Sequence, residues 1–233
     1  MLSKHLKRIL VDLLMSNSNE LPNSNELSNL PNLPTVHPIV QKLLSAAYDE
    51  QRSDEWFKLR GNLLTASDAA SALDLNFFKS SEALLIEKCG YKRSFTNSNI
   101  ERGIRLEPEV RDMYDKLYSK KSHEIGLIVH KEHKWLGGSA DGITEDGYLI
   151  EIKCPNKLSP KVPVYYLPQI QLLMEITELE ICHFIQYHEP TNTLKVIEVP
   201  RDREWFSTNL PKMKKFWEKV LEKRKNGLCE VVI

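Results

Sequence analysis

The sequence predicts a mixed α/β or α+β domain, on three observations. Residues 37 to 119 carry helical spacing punctuated by serine caps. Residues 123 to 154 break into short apolar runs between Gly, Asn and Asp turn signals. A single apolar helical stretch, 164 to 177, then separates those runs from two more of the same kind. Helices, then sheet, then one crossover helix and more sheet describe a sheet flanked by helices.

The elements follow in order. "HPIVQKLLSAAYD" has helical spacing, and "SDEWFKLR" starts with Ser53 as N-cap. "TASDAASALDL" reads as a cap at Ser67 and a short helix, and "SEALLIEKC" as another. "NIERGIRLEPEVRDMYDKLYS" is longer, with Ile104, Val110, Met113, Tyr114 and Leu117 as its apolar face. "HEIGLIVH", "WLGGSAD" and "YLIEIKC" are strands. In "VYYLPQIQLLMEIT", Pro168 marks an early turn or a kink. "EICHFIQYH" and "TLKVIEVP" are strands joined by "EPTN". A last helix runs from about Asp202 to Lys225, with Gly227 as its cap and Phe206, Met213, Phe216, Val220 and Leu221 docked on the core. Its lysines form a solvated face rather than a DNA stripe.

Composition narrows the function classes. The chain has 233 residues, 41% hydrophobic and 27% charged, enough for one domain with a sizeable core. Its 32 basic and 32 acidic side chains cancel, so any polyanion site is a local patch. Cys89, Cys154, Cys182 and Cys229 are too widely spaced for a zinc or iron–sulfur site and fit free thiols in a reducing compartment. No run reaches the ~20 apolar residues of a membrane span. The start, "MLSKHLKRILVDLLM", reads as an amphipathic helix rather than a signal peptide. Residues 16 to 34 repeat "NSNEL" and are rich in Asn, Ser and Pro. Residues 1–36 are therefore expected to form a helix and a partly disordered arm, and 37–233 the folded domain of an intracellular protein.

The chemistry gathers in "SADGITEDGYLIEIK". On a strand Glu151 and Lys153 share one face, while Ile150, Ile152 and Cys154 take the other. If "WLGGSAD" pairs with "YLIEIKC", Asp141 comes beside Glu151. Two adjacent carboxylates repel unless a positive charge lies between them, and an oxygen-only site suits Mg²⁺ or Mn²⁺. Such a site serves phosphodiester hydrolysis, with Lys153 orienting the water and countering charge on the phosphate. Glu-x-Lys alone usually marks a solvated strand with a weak cross-strand pair. The acid after a strand, the Gly-rich turn and the apolar setting make this pattern more specific. His130 and His133 are not spaced as a metal pair and are expected at the surface.

"GGSADGITEDGYLIEIKCP" resembles the signature of PD-(D/E)xK nucleases, specifically the phage lambda exonuclease or YqaJ-like viral recombinase group. "RSDEWFKLRGNLLTASDAA", "GIRLEPEVRDMY" and "YYLPQIQLLMEIT" resemble further motifs of that group, in its order, over roughly residues 52 to 190. Ala140 departs from the family's usual Pro, which bears on turn stiffness rather than chemistry.

The resemblance implies a restriction-endonuclease-like core, a central mixed β-sheet flanked by helices. It implies Asp141, Glu151 and the Ile152 carbonyl as metal ligands, Lys153 as the residue activating water, and Glu107 reaching a second ion. On spacing alone Glu109 rivals Glu107. Gln169 and Gln171 point about 200° apart on a helix, so they do not face the site equally. The resemblance favours Gln171, with Gln169 in support. It also implies that Arg60, Ser67 and Ser139 hold a 5′-phosphate.

The implied activity is a 5′-to-3′ exonuclease on linear double-stranded DNA ends, using two Mg²⁺ ions, with Mn²⁺ as substitute. A structure-specific endonuclease and a non-catalytic DNA-binding protein are the alternatives. A single-strand annealing partner, a homo-trimer and a cytoplasmic or viral replication site complete the expectation, with no membrane association.

Overall fold

The segment Tyr148–Lys153 is the middle strand of a five-stranded sheet. The computed structural model describes residues 36–46, 48, 51–90 and 98–227. The N-terminal helix, the Asn/Ser/Pro arm and Cys229 lie outside the described residues. In chain order the described elements are α1 (Pro38–Ser45), α2 (Asp54–Gly61), β1 (Leu64–Thr65), α3 (Ala69–Ala72), α4 (Ser81–Lys88) and α5 (Ser98–Tyr118). There follow β2 (Ser122–His123), β3 (Ile128–Val129), β4 (Leu136–Gly138), β5 (Gly142–Thr144), β6 (Tyr148–Lys153), α6 (Leu167–Thr177), β7 (Ile181–His188), β8 (Thr193–Pro200) and α7 (Arg203–Lys225).

The large sheet has the order β2-β5-β6-β7-β8, and a small one the order β1-β4-β3. In the large sheet β6 and β7 are parallel and the other neighbours antiparallel. A parallel pair needs a crossover, and α6 is that connection. The mixed α/β class and the flanking helices are as expected.

The pairing expected around Asp141 is corrected. β4, from "WLGGSAD", pairs with β1 and β3 rather than with β6. The antiparallel neighbour of β6 is β5, with Gly142 opposite Ile150. "HEIGLIVH" likewise divides between β2 in the large sheet and β3 in the small one. Leu64 and Leu136, opposite each other across β1 and β4, are both fully buried, so the core holds this pairing. A Cβ on Gly138 would meet Leu173 Cδ2 at 2.7 Å, so β4 lies against α6 where only glycine fits.

Two apolar layers enclose β6. Ile150 and Ile152 pack with Leu106, Val110 and Tyr114 of α5. Leu149 packs with α6 and α7 residues that include Leu172, Leu173, Met213 and Phe216. The α5 face therefore differs from the predicted one. Leu106 belongs to it, while Ile104 and Leu117 are 43% and 66% exposed. On α7, Met213, Phe216 and Val220 are buried as expected and Trp217 joins them, but Leu221 is 49% exposed.

The caps explain several boundaries. Ser53 Oγ accepts from Trp56 N at 3.2 Å and starts α2. The cap assigned to Ser67 is corrected. Thr65 precedes a 3₁₀ turn, Ala66–Asp68, and the Asp68 carboxylate accepts from both Thr65 N and Thr65 Oγ1. The Asp68 side chain thus reaches back to satisfy the cap position, leaving the Ser67 hydroxyl available to other groups. His130 is also corrected, from surface to buried. Its Nδ1 accepts from the backbone N–H of Glu132 and of His133, so the ring serves a turn.

Candidate active site

Glu151 and Lys153 share one face of β6, and Glu151 is fully buried. Its Oε1 accepts from Lys153 Nζ and, at 2.5 Å, from Gln169 Nε2. Its Oε2 is buried without a hydrogen-bond partner. Burial, and then the charge of Asp141, push the Glu151 carboxyl up to about 8 against the pull of Lys153. Burial would depress the Lys153 ammonium, but Glu151 and Asp141 outweigh it and hold it above the ordinary lysine range. The Lys153 ammonium also lies 5.2 Å from the centre of the Tyr166 ring.

Asp141 occupies the step from β4 to β5, between the two sheets. Its Oδ2 accepts from Ile152 N at 2.6 Å, which brings its carboxylate to the Glu151 strand despite the different pairing. Two neighbouring carbonyls of this turn are clamped. Gln51 Nε2 donates to Ala140 O at 3.1 Å and to Ile125 O at 2.8 Å. Arg111 Nη1 donates to Asp141 O at 2.7 Å. The turn is held from outside, where a proline would stiffen it from within.

Glu107 faces the same place from α5. Burial, and then Asp141, raise its carboxyl above the usual range. Arg52 Nη2 pairs with it at 2.8 Å and Arg111 Nη1 lies 3.8 Å away. Asp141, Glu151, Lys153 and Glu107 thus form one electrostatic group.

Gln171 does not join it. Its Nε2 donates to Pro200 O at 3.0 Å and its Oε1 accepts from Asp202 N at 2.8 Å. It ties α6 to the β8–α7 junction, and Gln169 is the glutamine on Glu151. The two point in different directions, as helical geometry requires, but the favoured one is reversed.

The proposed phosphate residues also assemble. Arg60 Nη2 donates to Ser67 Oγ at 2.5 Å, and the guanidinium lies 4.9 Å from the Trp56 ring centre. Trp56 Nε1 donates to Ser139 Oγ at 3.0 Å. Trp56 links these contacts, and residue spacing did not single it out. Arg111 was equally unmarked, although its place four residues after Glu107 is the spacing of facing helical partners. Lys88 and Asp68 form an ion pair at 2.8 Å, with each side chain 6% exposed.

The donors fit a hard divalent cation. Among the described residues no three His, Cys, Asp or Glu side chains form a ready cage. The site offers two mutually repelling carboxylates instead, with one buried carboxylate oxygen unpartnered. Oxygen donors of this kind suit Mg²⁺ or Mn²⁺, with water completing the shell.

The mixed sheet flanked by helices matches the nuclease fold of solved alkaline exonuclease structures. Comparison with known proteins refines that class: residues 55–180 match the YqaJ-like viral recombinase domain, and the chain belongs to that family. An alkaline exonuclease from Laribacter hongkongensis is structurally similar, with a TM-score of 0.64 and 25% identity over 75% of this chain and 95% of that one. The same enzyme in complex with dAMP gives a TM-score of 0.63. Uncharacterized protein R354 of Acanthamoeba polyphaga mimivirus is 30% identical over 59% of this chain and 29% of that protein. Protein D345L of African swine fever virus is 28% identical over 52% of this chain and 45% of that protein. The chain thus spans less than half the length of these viral relatives.

Proposed function

We propose that the protein is a metal-dependent deoxyribonuclease that degrades linear double-stranded DNA from its ends, 5′ to 3′. The observation that carries this reading is the meeting of Asp141, Glu151 and Lys153, with the buried Glu151 Oε2 left unpartnered. Similarity to an alkaline exonuclease supports it.

Each residue then has a task. Asp141, Glu151 and the Ile152 carbonyl would hold Mg²⁺ or Mn²⁺, with Glu107 toward a second ion, supplying Lewis acidity and charge at the phosphate. Lys153 orients the attacking water and sets positive charge beside the phosphate oxygens. Gln169 holds the Glu151 carboxylate in one rotamer by donating to Oε1. Arg60, Ser67 and Ser139 receive the terminal 5′-phosphate, the guanidinium by charge and the hydroxyls by hydrogen bonds. A ring of three copies and a single-strand annealing partner at a viral replication site belong to the same reading, since the exposed strand must be handed on.

The test offers linear duplexes with 5′-phosphate, 5′-hydroxyl or closed ends to the purified chain, with Mg²⁺ or with EDTA. Expected is cleavage of the 5′-phosphorylated duplex, lost in EDTA and in Asp141→Ala. Equal cleavage by Asp141→Ala overturns the reading. Cleavage of closed circles turns it to an endonuclease.

A further inference from the structure

Phe77 and Phe78, between α3 and α4, are each 81% exposed. They are not stray apolar residues. Leu75 and Val164 beside them are 47% and 62% exposed, and both phenylalanines meet Tyr165 edge-on, at 6.4 Å and 5.2 Å between ring centres. A contiguous exposed apolar patch marks a contact surface. The loop is also fixed in place. Asn76 Oδ1 accepts from Phe78 N at 2.9 Å, and Asn76 Nδ2 donates to the buried Ser71 hydroxyl at 3.0 Å.

The patch is continuous with the candidate site. Tyr165 lies 4.5 Å from Tyr166, ring centre to ring centre, and Tyr166 lies 5.2 Å from Lys153 Nζ. The adjoining groove, about 400 Å³, is lined by Leu75, Phe77, Val164 and Trp205, with Asp74 and Asp202 also on its wall. Aromatic rings accept any base by its face, and the two carboxylates, Asp74 paired with Lys212 at 3.3 Å and Asp202 capping α7, offer a phosphate backbone nothing to hold. The chemistry therefore selects nucleobases turned inward with their phosphates outside.

We infer that Phe77 and Phe78 are a stacking platform for unpaired bases of the DNA strand that enters the Lys153 site. This inference rests on the nuclease reading and assigns a binding surface that the catalytic residues do not supply. Each stacked base contributes on the order of 1 to 3 kcal/mol in single-strand binding, so losing both rings weakens binding about tenfold or more.

The experiment measures anisotropy of a labelled single-stranded oligonucleotide against the full chain, in EDTA so that nothing is cut. A second oligonucleotide of equal length carries abasic sugars. The double variant Phe77→Ala/Phe78→Ala is expected to bind the base-containing strand at least tenfold more weakly and the abasic strand as wild type does. Phe77→Tyr/Phe78→Tyr, which keeps both rings, is expected to restore binding. Unchanged affinity of the alanine variant overturns the inference and leaves the patch to a protein partner. Equal weakening on both strands also overturns it. Cleavage by the wild-type chain is scored separately, so failure of the nuclease reading is seen as no cleavage whatever the binding ratio.

Discussion

Arg111 Nη1 donates to the main-chain carbonyl of Asp141 at 2.7 Å, while Nη2 of the same side chain holds Glu124 at 3.1 Å. The guanidinium thus spans from α5 to the turn that aims the Asp141 carboxylate. A lysine has a single donor head and does not make this fork. Arg111→Met is expected to lower the cleavage rate by about 10- to 100-fold, the scale of an ångström-sized misplacement. DNA affinity in EDTA should stay within about twofold, and Arg111→Lys should not restore the rate. A variant that loses affinity but keeps its maximal rate would assign Arg111 to DNA binding instead.

The two glutamines of α6 separate catalysis from stability. Gln169 touches Glu151, so Gln169→Ala should reduce the cleavage rate about tenfold with little change in thermal midpoint. Gln171 satisfies Pro200 O and Asp202 N, and its removal leaves both without that partner. Gln171→Ala should therefore cost about 1 to 3 kcal/mol of stability. Its rate per folded molecule should remain near wild type. Denaturant titration together with single-turnover cleavage distinguishes the two, and the reverse pattern would return Gln171 to the site.

What was legible follows from range. Strand alternation placed Glu151 and Lys153 together and Ile150 and Ile152 opposite, because a strand's geometry is local. The clustering of Asp141 with Glu151 came out despite a wrong strand partner, because Asp141 is fixed by the Ile152 N–H and not by β4. The pairing of β4 with β1 sets Leu136 opposite Leu64 and Gly137 opposite Thr65, residues far apart in sequence. The link from Trp56 to Ser139 and the clamps from Gln51 and Arg111 are long-range in the same way, and no local pattern marks them. Ser67 reads as a cap because serine commonly caps helices and the local sequence does not show the 3₁₀ turn that precedes this helix. That turn and the reach of Asp68 put the cap at Thr65.

Burial of charge at the site makes stability without cation depend on pH in a definite direction. The folded Glu151 carboxyl is pushed up to about 8 from an ordinary 4.5, so the folded state binds more protons than the unfolded one between those values. Stability therefore falls as pH rises through that window. Burial lowers His130 and His183 below 6.5, so their contribution rises with pH up to about that value. In EDTA the thermal midpoint should fall by several degrees as pH rises toward 8, about 2 to 4 °C for each kcal/mol lost. Glu151→Gln should flatten the alkaline limb. Saturating Mg²⁺ should raise the wild-type midpoint most at the alkaline end and leave that of Glu151→Gln less changed. An alkaline limb identical in wild type and Glu151→Gln would assign the dependence to another group.

The Asp68–Lys88 pair braces the Arg60–Ser67 pair proposed to receive the 5′-phosphate. Lys88 Nζ also donates to Arg60 O at 3.2 Å, and Asp68 holds the Thr65 turn from which Ser67 projects. Burial alone would raise the Asp68 carboxyl, but Lys88 and Arg60 outweigh it and hold it well below its ordinary 3.8. The pair's stabilisation is therefore present above about pH 3.8 and is lost as pH falls toward the depressed folded value. Removing one partner strands the other charge in a site that is nearly dry. Lys88→Met is expected to cost about 3 to 5 kcal/mol at neutral pH, and adding Asp68→Asn should recover part of that loss. Lys88→Met should also reduce the preference for 5′-phosphate over 5′-hydroxyl ends, because Arg60 and Ser67 lose the scaffold that pairs them. Refolded protein with full stability and full end preference after Lys88→Met would show that the Arg60–Ser67 pair stands without this brace.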